Sequence, residues 1–211
     1  MSNPTSSIHI CNLALDRIGQ QEIASVDTPT TEIENICNRH YDQTRRKALR
    51  KYIFNFAKKY ATLTKSVTKT PAFGYANAYA LPNDFIRLLA LGDITIGGDT
   101  DPSLFDISEG HLFTDAEGGS TVYITYIYDA KTISSYDPLF IDVLTLELAA
   151  AMAYKFTLKP SLVAALKRDL EDAQLSASAV AGQEKPPRRI QRSRIRAVRR
   201  FGYYSSDNTR I

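Results

Sequence analysis

Tryptophan is absent from this chain of 211 residues, which holds only three histidines, two cysteines and two methionines. Two cysteines, Cys11 and Cys37, do not make the disulfide framework of a secreted mini-domain, and they fit a reducing cytoplasm. No apolar run approaches the ~20 residues that cross a bilayer. The longest, Leu148 to Tyr154, stops at Lys155, so no membrane-spanning helix and no membrane partner are expected. The opening Met1 to Thr5 has neither basic residues nor an apolar core, and a secretory signal is not expected. Gly97-Gly98 and Gly118-Gly119 follow neither a phosphate-loop nor a dinucleotide spacing.

The scarce metal ligands are poorly arranged. Cys37 and His40, three apart, share a helical face, but His9 and Cys11, two apart, point about 200° from one another on a helix. Both cysteines fall on apolar stripes, where a free thiol packs as a small hydrophobe. Neither a metal nor another cofactor is expected. His111 has no serine or cysteine beside it in a nucleophile elbow. Asp99, Asp101, Asp106, Asp115 and Glu117 sit in short turns, where carboxylates usually bond local backbone or water. No catalytic residue emerges, and the chain is not expected to be an enzyme.

What is present is ordinary for a folded protein: 44% hydrophobic and 23% charged residues. The length suits one domain, or one domain with an insertion, and allows about 70% of the unfolded surface to be buried. The net charge of +3 hides an asymmetry. Residues 185–211 carry nine basic residues and one acid, net +8, while the first 184 hold 17 basic and 22 acidic residues, net −5. A basic tail on a mildly acidic body points to a negatively charged partner.

Periodicity divides the body into three. Ser6 or Ser7 caps a first helix with Ile8, Cys11, Leu15 and Ile18 on one face and Gly19 as its stop. Thr31 with Glu34 forms a capping box for a second helix. Ile33, Ile36, Cys37, Tyr41, Thr44 and Ala48 line its inner face, and Glu32, Asn38, Arg45 and Arg46 its outer face. This helix is expected to run to about Ala61, through Tyr52, Phe54, Phe56 and Tyr60. Between about 62 and 136 the pattern becomes β-rich. Strands are expected at Phe85 to Leu91 and Ile94 to Ile96, a hairpin at Phe105 to Ser108 and His111 to Thr114 around Glu109-Gly110, and a strand at Thr121 to Tyr128. Both faces of that last strand are partly apolar, so it should be covered twice, within the fold or by a neighbouring subunit. Asp137-Pro138 starts a third helix with Phe140, Leu144, Leu148 and Met152 as its stripe. Lys159-Pro160-Ser161 leads into a fourth, with Leu162, Leu166, Ala173, Ala177 and Val180, to about Ala181. The expected class is α+β. An antiparallel bundle of about four helices (about 6–61 and 138–181) carries a β-rich insertion (about 62–136), all within one domain of residues 1–184, followed by an extended basic arm of residues 185–211.

The arm concentrates Arg188, Arg189, Arg192, Arg194, Arg196, Arg199 and Arg200 among Ile190, Ile195, Val198, Phe201, Tyr203 and Tyr204. Repulsion and Pro186-Pro187 disfavour independent folding. Arginine interleaved with apolar and aromatic side chains suits an interface anchor. It equally suits phosphate neutralisation with base stacking, and a solvated tail is the third possibility.

Several stretches together resemble the tail tubular protein A family, the head-to-tail adaptors of short-tailed bacteriophages. Ile10-Cys11-Asn12-Leu13-Ala14-Leu15-Asp16-Arg17-Ile18-Gly19 is similar to that family's first helix. Tyr41, Arg45, Arg46, Leu49 and Phe54-Asn55-Phe56-Ala57 resemble its second, with Phe54 where a tryptophan commonly stands. Phe73-Gly74-Tyr75 and Tyr79-Ala80-Leu81-Pro82-Asn83-Asp84-Phe85 resemble the entry to the β insertion, and Asp137-Pro138-Leu139-Phe140 with Leu148-Ala149 the third helix. The match runs in order over about residues 8 to 180; the basic arm has no counterpart in it. The resemblance implies a homo-oligomeric ring of about twelve copies in the virion neck, closed by cyclic symmetry. It would be assembled in the host cytoplasm between portal protein and a tail nozzle resembling tail tubular protein B. Viral double-stranded DNA would pass through its lumen for retention and ejection. In that setting Arg188, Arg189, Arg192, Arg194 and Arg196 would meet acidic portal groups and Ile195, Val198, Phe201 and Tyr203 would fill apolar grooves, with Arg199, Arg200 and Tyr204 completing the docking arm. Two other functions remain open: a nucleic-acid-binding protein with a basic arm, and a tail-associated glycan hydrolase using a pair of the turn carboxylates.

Overall fold

The computed structural model describes residues 6–71, 73–96, 104–115, 120–157 and 159–183. The first helix, α1 (Ser7–Arg17), starts where the Ser6 hydroxyl accepts the His9 amide at 3.3 Å. Ile10, Cys11, Ala14 and Leu15 are buried along it, and Gly19, at φ +69°, turns the chain away. The second helix, α2 (Glu32–Lys51), opens on the expected capping box: the Glu34 amide donates to Thr31 Oγ1, and the Thr31 amide to Glu34 Oε2.

α2 ends ten residues before the expected Ala61. Tyr52 and Phe54 are extended, Asn55–Ala57 make one 3-10 turn, and Lys58–Thr64 form strand β1. The aromatic cluster explains the break. Phe54 and Phe56 both lie 5.0 Å, ring to ring, from Phe140, and Phe56 lies 5.4 Å from Tyr136. Two residues apart on a helix, their rings would point about 200° apart. An extended chain brings both to one neighbour.

The remaining strands are β2 (Ala78–Ala80), β3 (Phe85–Leu91), β4 (Ile94–Thr95), β5 (Phe105–Ser108), β6 (His111–Thr114) and β7 (Thr121–Tyr128). They form two antiparallel sheets, ordered β1-β7-β3-β4 and β2-β6-β5. β3, β5, β6 and β7 match the expected strands and β4 lies within the expected Ile94 to Ile96, whereas β1 and β2 were not anticipated. In the β5–β6 hairpin Glu109 and Gly110 both take positive φ, +49° and +72°, as a tight two-residue turn requires.

The sheets share a small core in which Leu63, Leu88, Val122, Ile124 and Tyr126 meet Tyr79 and Leu112. The other face of β7 is covered within the chain at Ile127, which belongs to the helical core, but Tyr123 stays 59% exposed. Within the chain, the strand is therefore covered on both faces only at its Ile127 end.

The larger core surrounds α3 (Pro138–Thr157), which packs against α1, α2 and α4 (Pro160–Gln183). Asp137 Oδ1 accepts the Leu139 amide at 2.7 Å and starts α3 as the Asp-Pro pair implies. The fold is α+β, with four helices and two small antiparallel sheets among the described residues. No described helix is long and apolar enough to cross a membrane.

Candidate functional site

Arg45 is the most buried charge among the described residues, its side chain only 2% exposed. It points inward, contrary to the outer-face placement expected from helical spacing. Its Nη1 donates to Asp129 Oδ1 at 2.6 Å and to the Ala130 carbonyl at 2.7 Å, and its Nη2 to Asp42 Oδ1 at 3.1 Å. The Tyr136 hydroxyl donates to the same carbonyl at 2.8 Å. Burial, the largest single effect, disfavours the guanidinium charge, but the Asp129 hydrogen bond together with the Tyr136, Asp129 and Asp42 interactions outweighs it and holds the pKa above its ordinary value. The cluster ties α2 to the segment between β7 and α3. No helical spacing reveals it, because Asp129 lies 84 residues away.

Two carboxylates are similarly consumed by structure. Glu34 Oε1 accepts the amides of Ala24 and Ser25, and Oε2 those of Thr30 and Thr31 plus the Thr30 hydroxyl. Those bonds, Thr30's first, lower its pKa to about 2. Asp84 accepts from Lys59 Nζ at 2.7 Å and from the Tyr126 hydroxyl at 3.0 Å. Burial opposes the Asp84 charge, yet Lys59 and Tyr126 keep its pKa below the ordinary value. Tyr126 itself is raised to about 12, by burial first and then by its bond to Asp84.

Of the turn carboxylates, Asp106 and Asp115 fall among the described residues. Asp106 Oδ1 accepts the Ile107 amide and Asp115 Oδ1 the Ala76 amide, both local roles of the kind turns demand. His111 Nδ1 sits 2.9 Å from the Glu109 carbonyl. Cys11 and Cys37 are buried, with Cys37 Sγ 3.8 Å from Met152 Sδ, while His9 is exposed and His40 half-buried. No group of three metal-ligating side chains occurs among the described residues. Asp99, Asp101, Glu117 and the whole arm, including Arg188, Arg189, Arg192, Arg194, Ile195, Arg196, Val198, Arg199, Arg200, Phe201, Tyr203 and Tyr204, lie outside the described residues.

Two surface depressions stand out. One, of about 500 Å³, lies on the open face of the four-stranded sheet between Tyr60, Leu89, Ala90, Asp93 and Tyr123. Tyr60 is 83% exposed there. Two exposed tyrosines with a single acid suit contact with another macromolecule rather than acid–base chemistry. The second, of about 510 Å³, lies between the end of α2 and the start of β3, lined by Arg46, Lys47, Arg50, Lys51, Phe85 and Ile86. Sequence reasoning missed both, because β1 was taken for helix and, of the groove's basic residues, only Arg46 was assigned a place, on the outer face of α2. No family model and no curated protein matches the chain.

Proposed function

We propose that the chain is a structural head-to-tail adaptor of a short-tailed bacteriophage, without a catalytic step. Its four helices act as one bundle that packs laterally into a ring, and its basic arm docks on the portal. The ring continues the DNA channel between portal and tail nozzle. The observation that carries this reading is convergence. Many of the residues through which the sequence resembles the adaptor family come from separate stretches, yet they meet one another in the fold. Phe54 and Phe56 pack on Phe140, Leu49, Leu148 and Ala149 share the same helical core, and Arg45 closes the segment that leads into Asp137-Pro138. Asp84, from the insertion's entry, accepts bonds from β1 and β7. Such a pattern supports a shared architecture, in which those residues specify the fold. The open tyrosine-bearing sheet face and the largely exposed α4 leave lateral surface for neighbouring copies.

The test is co-sedimentation of the full chain with the portal ring of the phage that encodes it, without DNA, at about 0.15 M salt. About one copy bound per portal subunit is the expected result. Replacing Arg188, Arg189, Arg192, Arg194 and Arg196 by glutamine should abolish it if the arm docks. Absence of binding by the unaltered chain would sink the adaptor reading.

A further inference from the structure

The groove at the end of α2 gathers like charge on a body that is otherwise net acidic. Arg46, Lys47, Arg50 and Lys51 line it, all exposed, and Arg87 of β3 joins them through its Nη1, which donates to the Arg50 carbonyl at 3.2 Å. Lys47, Arg50, Lys51 and Arg87 form no ion pair among the described residues, and Arg46 only a 3.9 Å approach to Asp129. No acid among the described residues lines the groove. Two acids bear on it from neighbouring helices, Glu147 of α3 on Lys47 and Lys51, and Glu171 of α4 on Lys51. Glu147 is buried, and burial raises its pKa, which weakens it as a counter-charge.

Helix-end electrostatics do not account for this cluster. A helix C-terminus carries about half a negative charge. The last turns of α1 and α3 hold one basic residue each, and that of α4 none. Four exposed cations in six residues, joined by a fifth from a strand, form a local positive field.

We propose that this groove binds the phosphate backbone of double-stranded DNA. Arg46-Lys47 and Arg50-Lys51 stand one helical turn apart, about 6 Å along the axis, close to the step between successive phosphates of one strand. Arg50 is held in place by its 2.8 Å bond to the Ile86 carbonyl, and Lys51 by the Tyr52 ring 4.9 Å away, so these two cations are pre-positioned. The groove offers no free aromatic platform for unpaired bases: its Phe85 ring is already stacked 5.8 Å from Tyr126. The contact is therefore one of charge and spacing, without base readout. It stands independently of the adaptor reading and of the arm.

The experiment titrates the full chain onto a labelled duplex across a series of salt concentrations. Its variants are Arg46→Gln, Lys47→Gln, Arg50→Gln and Arg87→Gln combined, and Lys47→Glu alone. Both are repeated in a chain whose arm arginines are glutamine, so that the arm's own affinity is removed. The combined variant should lose tenfold or more in affinity, and its log–log salt slope should flatten by about 3 to 4, close to 0.9 per phosphate contact. Lys47→Glu touches an exposed side chain and decides the matter if the combined variant fails to fold; it should weaken binding, and Lys47→Arg should restore it. An unchanged slope and affinity in a folded variant overturns the proposal. So does a groove-dependent affinity for polyglutamate with none for the duplex, which would assign the groove to an acidic protein.

Discussion

α3 and α4 follow one another along the chain and pack together, yet they solve opposite problems. Every residue of α3 from Val143 to Ala149 is buried, two full turns with no open side, and Phe140, Ile141, Met152 and Ala153 extend that burial. It even carries Thr145 and Glu147 into the interior, where Thr145 Oγ1 and Glu147 Oε2 have no hydrogen-bond partner among the described residues. Leaving such groups unmade costs about 1–3 kcal/mol each, so the apolar burial around them must outweigh it. α4 is longer, but only Leu166 and Ala177 are buried, and Leu175 is 71% exposed. A helix surrounded on every side needs no amphipathic stripe; a helix laid against a single neighbour needs only a narrow one. Stability should therefore reside in α3 and availability in α4.

That contrast can be broken by substitution. Phe140→Ala removes a ring packed against Phe54, Phe56 and Tyr136 and should cost about 3–5 kcal/mol in urea unfolding. A loss below 1 kcal/mol would deny α3 its central role. Leu166→Ala, at α4's buried contact, should cost about 2–3 kcal/mol, near the low end for a buried leucine because α4 packs chiefly on α3 alone.

The cap of α2 gives a smaller effect with a pH signature. Glu34's pKa falls from an ordinary 4.5 to about 2 on folding. Its stabilisation is therefore complete above pH 4.5 and lost as the pH falls towards 2. The difference in unfolding midpoint between the parent chain and Glu34→Gln should be largest near neutrality and shrink across that window. A pH-independent difference would show that the carboxylate charge is not what Thr30 and Thr31 hold. Leu175→Ala on α4's outer face should move stability by no more than about 0.5 kcal/mol. A larger loss in the monomer would place Leu175 in the core after all.

The elements that were legible in the sequence share a property: their signals lie within a few residues. Ser6, Thr31-Glu34 and Asp137-Pro138 mark helix starts, because a cap bonds amides two or three positions on. The β7 alternation and the Glu109-Gly110 turn are equally local. β1 was hidden because Tyr52 to Tyr60 can be read at helical spacing as well as at alternate spacing, and only Phe140 and Tyr136 decide between them. Arg45 was assigned outward for the same reason. A helical wheel shows where a side chain points but not whether Asp129 is waiting there. The basic groove was half visible, as a run of cations on α2. Its other wall, Phe85 to Arg87, comes from more than thirty residues further on.

By itself, then, the sequence determined the caps, most of the strands, the α+β class and the separation of an acidic body from a basic arm. Each follows from neighbouring residues or from composition alone. Only the tertiary structure decided where α2 stops, which way Arg45 faces, which side of β7 stays open and what borders the basic groove. Those outcomes depend on contacts between distant segments, whose free energies exceed the local propensities that would otherwise have settled them.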